Sequence, residues 1–243
     1  MQYSEFIVNT SWVNLTSLFS VPVDDIMNEI QQVENFFHIE RDKLQAQQLQ
    51  EKETLGVSEY LATDNKWSAF TLLSSSGDYK DVLTQGINAN IDKKEIVSTY
   101  RNIRQHKWTE LSELMPKTIL YVRSAFEPIM KLSYVKIAKL SAGGVIPKHT
   151  DKPNKEIAKN TINSYHMLNS ILIELNSPKG IIAKHNDDII DYQKGSVYWF
   201  NQSREHEVIH NGNKDRYNIR IQGMYNRKFR ELIKNNIHML QYK

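Results

Sequence analysis

Between residues 118 and 225 the sequence passes through seven or so short runs of strand character, each closed by turn-forming residues, and this regular spacing constrains the fold most. Residues 134–140 alternate apolar side chains with lysine and break at Gly143 and Gly144. Residues 166–175 form the next run, ended by a 176–180 segment that carries Pro178 and Gly180. Three shorter runs, 181–183, 188–192 and 196–200, follow at close intervals. Residues 205–210 and 216–225 read as a hairpin closed by residues 211–215, where Asn211-Gly212 is a strong turn signal. Such a series suggests a β-sandwich or open barrel.

The flanking sequence has helical spacing. Val23, Ile26, Ile30, Val33 and Phe37 fall on one stripe, with Pro22 at its start and Asp24 and Asp25 in its first turn. A second helix is expected over residues 91–114, ended by Pro116, and a third where Phe229, Ile233, Ile237 and Leu240 recur. Residues 67–73 read as a strand with a turn after it, residues 1–20 as an edge strand, and 41–53 as a solvated helix end or loop. The expected organisation is mainly β with flanking helices, an α+β chain of one domain over 1–243. It divides into a helical buttress at about 1–117, a β core at about 118–225 and a C-terminal helix at 226–243.

Within that frame one pattern carries chemistry. The strand over 134–140 leads through Gly143, Gly144 and Pro147 to His149 and Asp151, two positions apart, a spacing that puts both side chains on one face of an extended chain. A second imidazole, His206, opens a short apolar run downstream. Two imidazoles and a carboxylate on one face of an octahedral ion leave three positions open, as in non-haem iron(II) oxygenases. The chain has no cysteine, so any metal is held by nitrogen and oxygen. Arg216 follows His206 by ten positions, at the start of a strand whose alternate residues Asn218, Arg220 and Gln222 are polar. A guanidinium near a metal binds a carboxylate bidentately.

These residues resemble the iron(II)/2-oxoglutarate-dependent oxygenases, and among them the aspartyl/asparaginyl β-hydroxylase-like family. The resemblance rests on Leu140, Gly143, Gly144, Ile146, Pro147, His149 and Asp151, on Trp199, His206, Val208 and Arg216, and on the run from Trp67 to Leu72; it covers roughly residues 65–225. It implies a double-stranded β-helix, the jelly-roll or cupin-like barrel, with His149, Asp151 and His206 as ligands of Fe(II). It also implies Arg216 as partner of the distal carboxylate of 2-oxoglutarate. Some relatives carry a further basic residue on the strand after the first motif, a role open here to His166 or Asn169, with Arg220 as runner-up to Arg216. The implied activity is hydroxylation of an amino acid, free or within a peptide or protein, with molecular oxygen consumed and succinate and CO2 as co-products. One domain without a peptide-docking module leans towards a small substrate.

The remaining candidates have plainer readings. His185 and His210 read as surface or structural histidines, Arg123 as a salt-bridge partner, Trp67 and Trp199 as core aromatics, and the basic residues Arg227, Lys228, Arg230 and Lys234 as a solvated face. Residues 152–164, polar and rich in lysine and asparagine, are placed as a flap beside the site. Two rivals stay open: a zinc hydrolase with Glu205 or Glu207 as general base, and a non-enzymatic β-barrel binding protein. A formal charge of +3 with no concentrated patch gives no reason to expect nucleic acid. With no signal sequence and no apolar run of about 18 residues, a cytoplasmic chain without a membrane partner is expected. Oligomeric state is not encoded in any of these features.

Overall fold

The structure, a computed structural model, describes residues 10–37, 66–74, 76–81, 106–149, 169–202 and 204–243. Two facing β-sheets form the body. The larger has seven strands in the order β1 (Trp12–Asn14), β9 (Val197–Asn201), β6 (Asn169–Glu174), β11 (Arg216–Tyr225), β4 (Met130–Leu140), β2 (Trp67–Ser74) and β3 (Lys107–Trp108). The smaller has four, β5 (Val145–His149), β10 (His206–His210), β7 (Ile181–His185) and β8 (Asp188–Ile190). From β4 to β11 the chain alternates between them, with only β7 and β8 consecutive in one sheet, and every pairing is antiparallel. That alternation is the winding of a double-stranded β-helix.

Strand alternation gives the large sheet two distinct faces. One carries Phe70, Leu72, Val135, Ile137, Ile171, Ile173, Val197, Trp199, Ile219 and Ile221, all buried beneath helices. These are α1 (Val23–Gln32), α3 (Pro116–Phe126) and α4 (Arg227–Asn236), which contribute Ile26, Ile30, Val122, Phe126, Phe229 and Ile233. The other face looks at the small sheet across a second core of Leu140, Tyr198 and Phe200 against Ala183, Ile190 and Val208. Glu29 of α1 ties two helices together, accepting hydrogen bonds from the backbone N–H groups of Lys117 and Thr118 and from the Thr118 hydroxyl. Its carboxylate thereby satisfies donors at the amino end of α3.

Several expectations need correction. Pro116 starts a helix rather than ending one; it occupies the first turn of α3, where its missing N–H costs nothing. Among the described residues of the expected span lie β3 and a four-residue helix, α2 (Leu111–Leu114), while residues 91–105 of the expected helix lie outside the described residues. The β core begins at Met130, and α3 occupies the start of the span assigned to it. The N-terminal third also supplies the strands expected in it, β1 at the edge of the large sheet and β2, and adds β3, which was not expected. Finally, β10 and β11 do not form a hairpin ladder. β10 pairs with β5 and β7, whereas β11 pairs with β4 and β6, so residues 211–215 cross between sheets. His210 anchors that crossing: its Nε2 donates to the Lys214 carbonyl and its Nδ1 accepts from Gly212 N–H. A side chain on Gly212 has no room, since its Cβ would fall 2.1 Å from the Lys179 carbonyl oxygen.

Candidate active site

The two sheets enclose a cavity lined from the large sheet by Trp67, Lys136, Ser170, Phe200, Arg216 and Arg220, and from the small sheet by His149, His185 and His206. Gly143, with φ +73, and Gly144 make the turn that sends the chain from β4 into β5. A Cβ at Gly144 would crowd the Ser141 carbonyl oxygen at 2.9 Å as well as the end of the Leu140 side chain. β5 then pairs with β10 so that His149 stands directly opposite His206.

The two rings have centroids 4.1 Å apart and planes inclined at 53°. Each is held the same way: His149 Nδ1 bonds the Pro147 carbonyl at 2.7 Å and His206 Nδ1 bonds the Arg204 carbonyl at 2.9 Å. An imidazole that donates through Nδ1 carries its lone pair on Nε2, the tautomer that ligates a metal, and such carbonyl contacts are what orient ligating histidines. This pair fits a divalent metal held by nitrogen and oxygen. Asp151 and His166 lie outside the described residues, as do residues 152–164. Among the described residues no group of three metal-binding side chains gathers.

Arg216 points into the body of the barrel. Its guanidinium donates side-on to Glu174, Nε to Oε1 at 2.8 Å and Nη2 to Oε2 at 2.6 Å, with side-chain exposures of only 3% and 0%. The Tyr192 ring lies 4.9 Å from the guanidinium carbon. Burial pushes the Glu174 carboxyl upward against the pull of Arg216. For Arg216, burial opposes the charge and Glu174 and Tyr192 more than offset it. Arg220 is on the same face of β11 as Arg216, and its charge also acts on the Tyr192 hydroxyl. Directly across the strand pair from Arg220 sits Lys136, buried, with its ammonium 5.0 Å from the Trp67 ring.

Asn169 does not meet the cavity. It shares the strand phase of Ile171 and Ile173, which face the helices, so Ser170 takes the inward position in its place. His210 is structural and Trp199 is core, as the sequence suggested, and Arg123 pairs with Glu127 on the surface of α3. Trp67 faces the cavity as well as packing beside the core. The bases considered for a hydrolase are both engaged, Glu205 with Lys148 and Glu207 with Lys184. Several lining residues were not singled out beforehand as site residues, among them Ser170, Tyr192, Lys136 and His185. Lys136 looked like the solvent side of an alternating strand, but β4 is covered on both faces; its phase with Ala138 and Leu140 is the available signal. His185, read as a surface or structural histidine, is buried within the cavity wall.

The aspartyl/asparaginyl β-hydroxylase family pattern matches residues 23–224. No curated protein sequence matches the chain. Among solved structures, a prolyl hydroxylase from Trichoplax adhaerens bound to a hypoxia-inducible-factor peptide fragment is 14% identical, covering 94% of this chain and 89% of its own, with a TM-score of 0.44. A 2OG-Fe(II) oxygenase family protein from Burkholderia pseudomallei is 13% identical over 50% of this chain and 64% of its own, with a TM-score of 0.33. A cupin domain from Bordetella pertussis is 13% identical over 37% and 79%, at 0.27.

Proposed function

The chain belongs to the aspartyl/asparaginyl β-hydroxylase family and is a 2-oxoglutarate-dependent hydroxylase, and from that premise we propose how its residues divide the work. His149 and His206 hold Fe(II) through Nε2, with Asp151 as the third ligand. The observation that carries this reading is the matched pair of Nδ1-to-carbonyl clamps on two imidazoles that face each other across β5 and β10. When bound, iron and 2-oxoglutarate supply the activation of dioxygen, with succinate and CO2 as co-products.

The barrel interior supplies the grip on the cosubstrate. Glu174 uses the side-on edge of the Arg216 guanidinium, and a guanidinium has a second edge that accepts another carboxylate. Glu174 has already compensated the charge of Arg216, so the distal carboxylate of 2-oxoglutarate brings an extra negative charge into a buried space. Burying such a charge without compensation costs several kcal/mol, roughly. Arg220 supplies the compensation, and the Tyr192 hydroxyl, under the influence of both guanidinium groups, adds a hydrogen bond. The apolar wall of Phe200, Leu172 and Val208 keeps water from the reacting end. The hydroxylated group is an amino acid, free or within a peptide.

The test is aerobic incubation with iron(II) and 2-oxoglutarate, reading succinate. Iron-dependent succinate that falls to background in His149→Ala and His206→Ala is expected. Hydrolytic turnover with zinc(II) and no succinate with iron(II) would overturn the reading.

A further inference from the structure

The strand register places a third imidazole in the same row. His206 is opposite His149 on one side and opposite His185 on the other, so β5, β10 and β7 carry three histidines side by side. Cross-strand partners project to one face, and all three line the cavity.

The two neighbours of His206 relate to it differently. His149 is tilted and close, an arrangement that lets two lone pairs converge. The His185 ring is nearly parallel to His206, at 10°, with centroids 5.5 Å apart. Two nitrogens bound to one ion at about 2.1 Å lie at most about 4.2 Å apart. Parallel rings separated by more than that aim corresponding nitrogens in one direction and not at a shared point. His185 is therefore not arranged as a ligand. It is also stacked on Phe200, 4.9 Å away and inclined at 21°. Phe200 belongs to the large sheet, so His185 is a buried ring stacked on an aromatic of one sheet and a histidine of the other.

His206 has need of such support. The ladder between β10 and β5 shifts register between His206 and Val208, so the backbone is irregular just where this imidazole leaves it. The Arg204 carbonyl fixes one atom of the ring, Nδ1, and still permits the plane to swing about that bond. A flat ring stacked against it removes the swing.

We propose that His185 is a positioning residue: stacked on Phe200 and His206, it fixes the ring plane of His206 for metal binding, and it does so as a flat ring and not through a nitrogen. This rests on the reading of His206 as a ligand. It separates two substitutions by chemistry. His185→Phe keeps a planar ring and removes both nitrogens, whereas His185→Ala removes the ring.

Cobalt(II) binding to the full chain, followed by its visible absorption spectrum under anaerobic conditions, tests the proposal without turnover. Wild type and His185→Phe are expected to bind one ion with affinities within about threefold and the same spectrum. His185→Ala is expected to bind about tenfold or more weakly, the scale of losing an outer partner of a ligating histidine, with an altered spectrum. Equal affinity and spectrum in His185→Ala overturn the proposal. So does a loss in His185→Phe as large as in His185→Ala, which would assign the effect to a nitrogen; the phenylalanine variant gives this answer even should the alanine variant fold poorly. His206→Ala is the control for the ligand reading: if it binds cobalt(II) like wild type, or if wild type binds none, the proposed metal site itself is wrong and the role of His185 falls with it.

Discussion

Replacing Glu174 by glutamine should move stability and cosubstrate affinity in opposite directions. The carboxylate makes two contacts to Arg216 at 2.8 and 2.6 Å, and both side chains are almost fully buried. Removing one partner of such a pair costs roughly 3–5 kcal/mol, because the other charge stays buried without compensation. Glutamine keeps one acceptor oxygen, and the Tyr192 ring still faces the guanidinium, so the lower end, about 3 kcal/mol, is expected. In a chain of this size that lowers the melting temperature by about 6–12 °C. The same change leaves Arg216 with a net charge to offer an incoming anion. Affinity for 2-oxoglutarate should then rise by about tenfold, or about 1.4 kcal/mol, and the melting-temperature increase on adding manganese(II) and 2-oxoglutarate should exceed that of wild type. Differential scanning fluorimetry at matched ligand concentrations reads both effects. An unchanged apo melting temperature, or a smaller ligand-induced gain than in wild type, would refute the charge accounting at the base of the cavity.

Arg220→Met is expected to raise the KM for 2-oxoglutarate about tenfold with a smaller change in kcat, measured by succinate release; an unchanged KM would remove Arg220 from cosubstrate binding. Glu29→Gln should lower stability by about 2 kcal/mol through weaker hydrogen bonds to the start of α3, while leaving iron-dependent turnover intact; urea unfolding gives the number. Burial holds the His106 imidazole below its usual range, against a hydrogen bond to the Ser133 carbonyl. Its contribution is fully present above the unfolded value of about 6.5 and is lost as pH falls below it, because the unfolded chain then binds the proton more readily. His106→Gln should flatten the pH dependence of stability below about pH 6.5, and an identical slope in both proteins would contradict the assignment.

The parts of this fold that the sequence revealed are those where one face of an element is wet or one short motif fixes the backbone. The stripe Val23, Ile26, Ile30 and Val33 predicted α1 because its opposite face is solvated, and the strand runs after Gly144 stand out because glycine, proline and asparagine separate them. Pro116 misled because a proline that ends one pattern is equally at home starting the next helix. Pairing of β10 with β5 and β7 was hidden for a different reason: Asn211-Gly212 signals a tight turn locally and carries no information about which sheet receives the next strand. At the site, His149, His206 and Arg216 could be proposed because each sits in a short local pattern, a Gly-Gly break before His149 and a strand run opened by His206 or by Arg216. Glu174, Tyr192 and His185 could not, since their importance lies in register across strands distant in sequence. Asn169 was misplaced by a single position of strand phase, which is enough to turn a side chain from the cavity to the helices.

Two imidazoles facing one ion is the claim on which the rest depends. An anaerobic crystal structure with manganese(II) and 2-oxoglutarate tests it most directly. Nε2 of both His149 and His206 is expected about 2.1 Å from the same ion, with the distal carboxylate of the cosubstrate hydrogen-bonded to Arg216. An ion bound elsewhere, or either Nε2 turned out of bonding range while the cosubstrate is present, would contradict it.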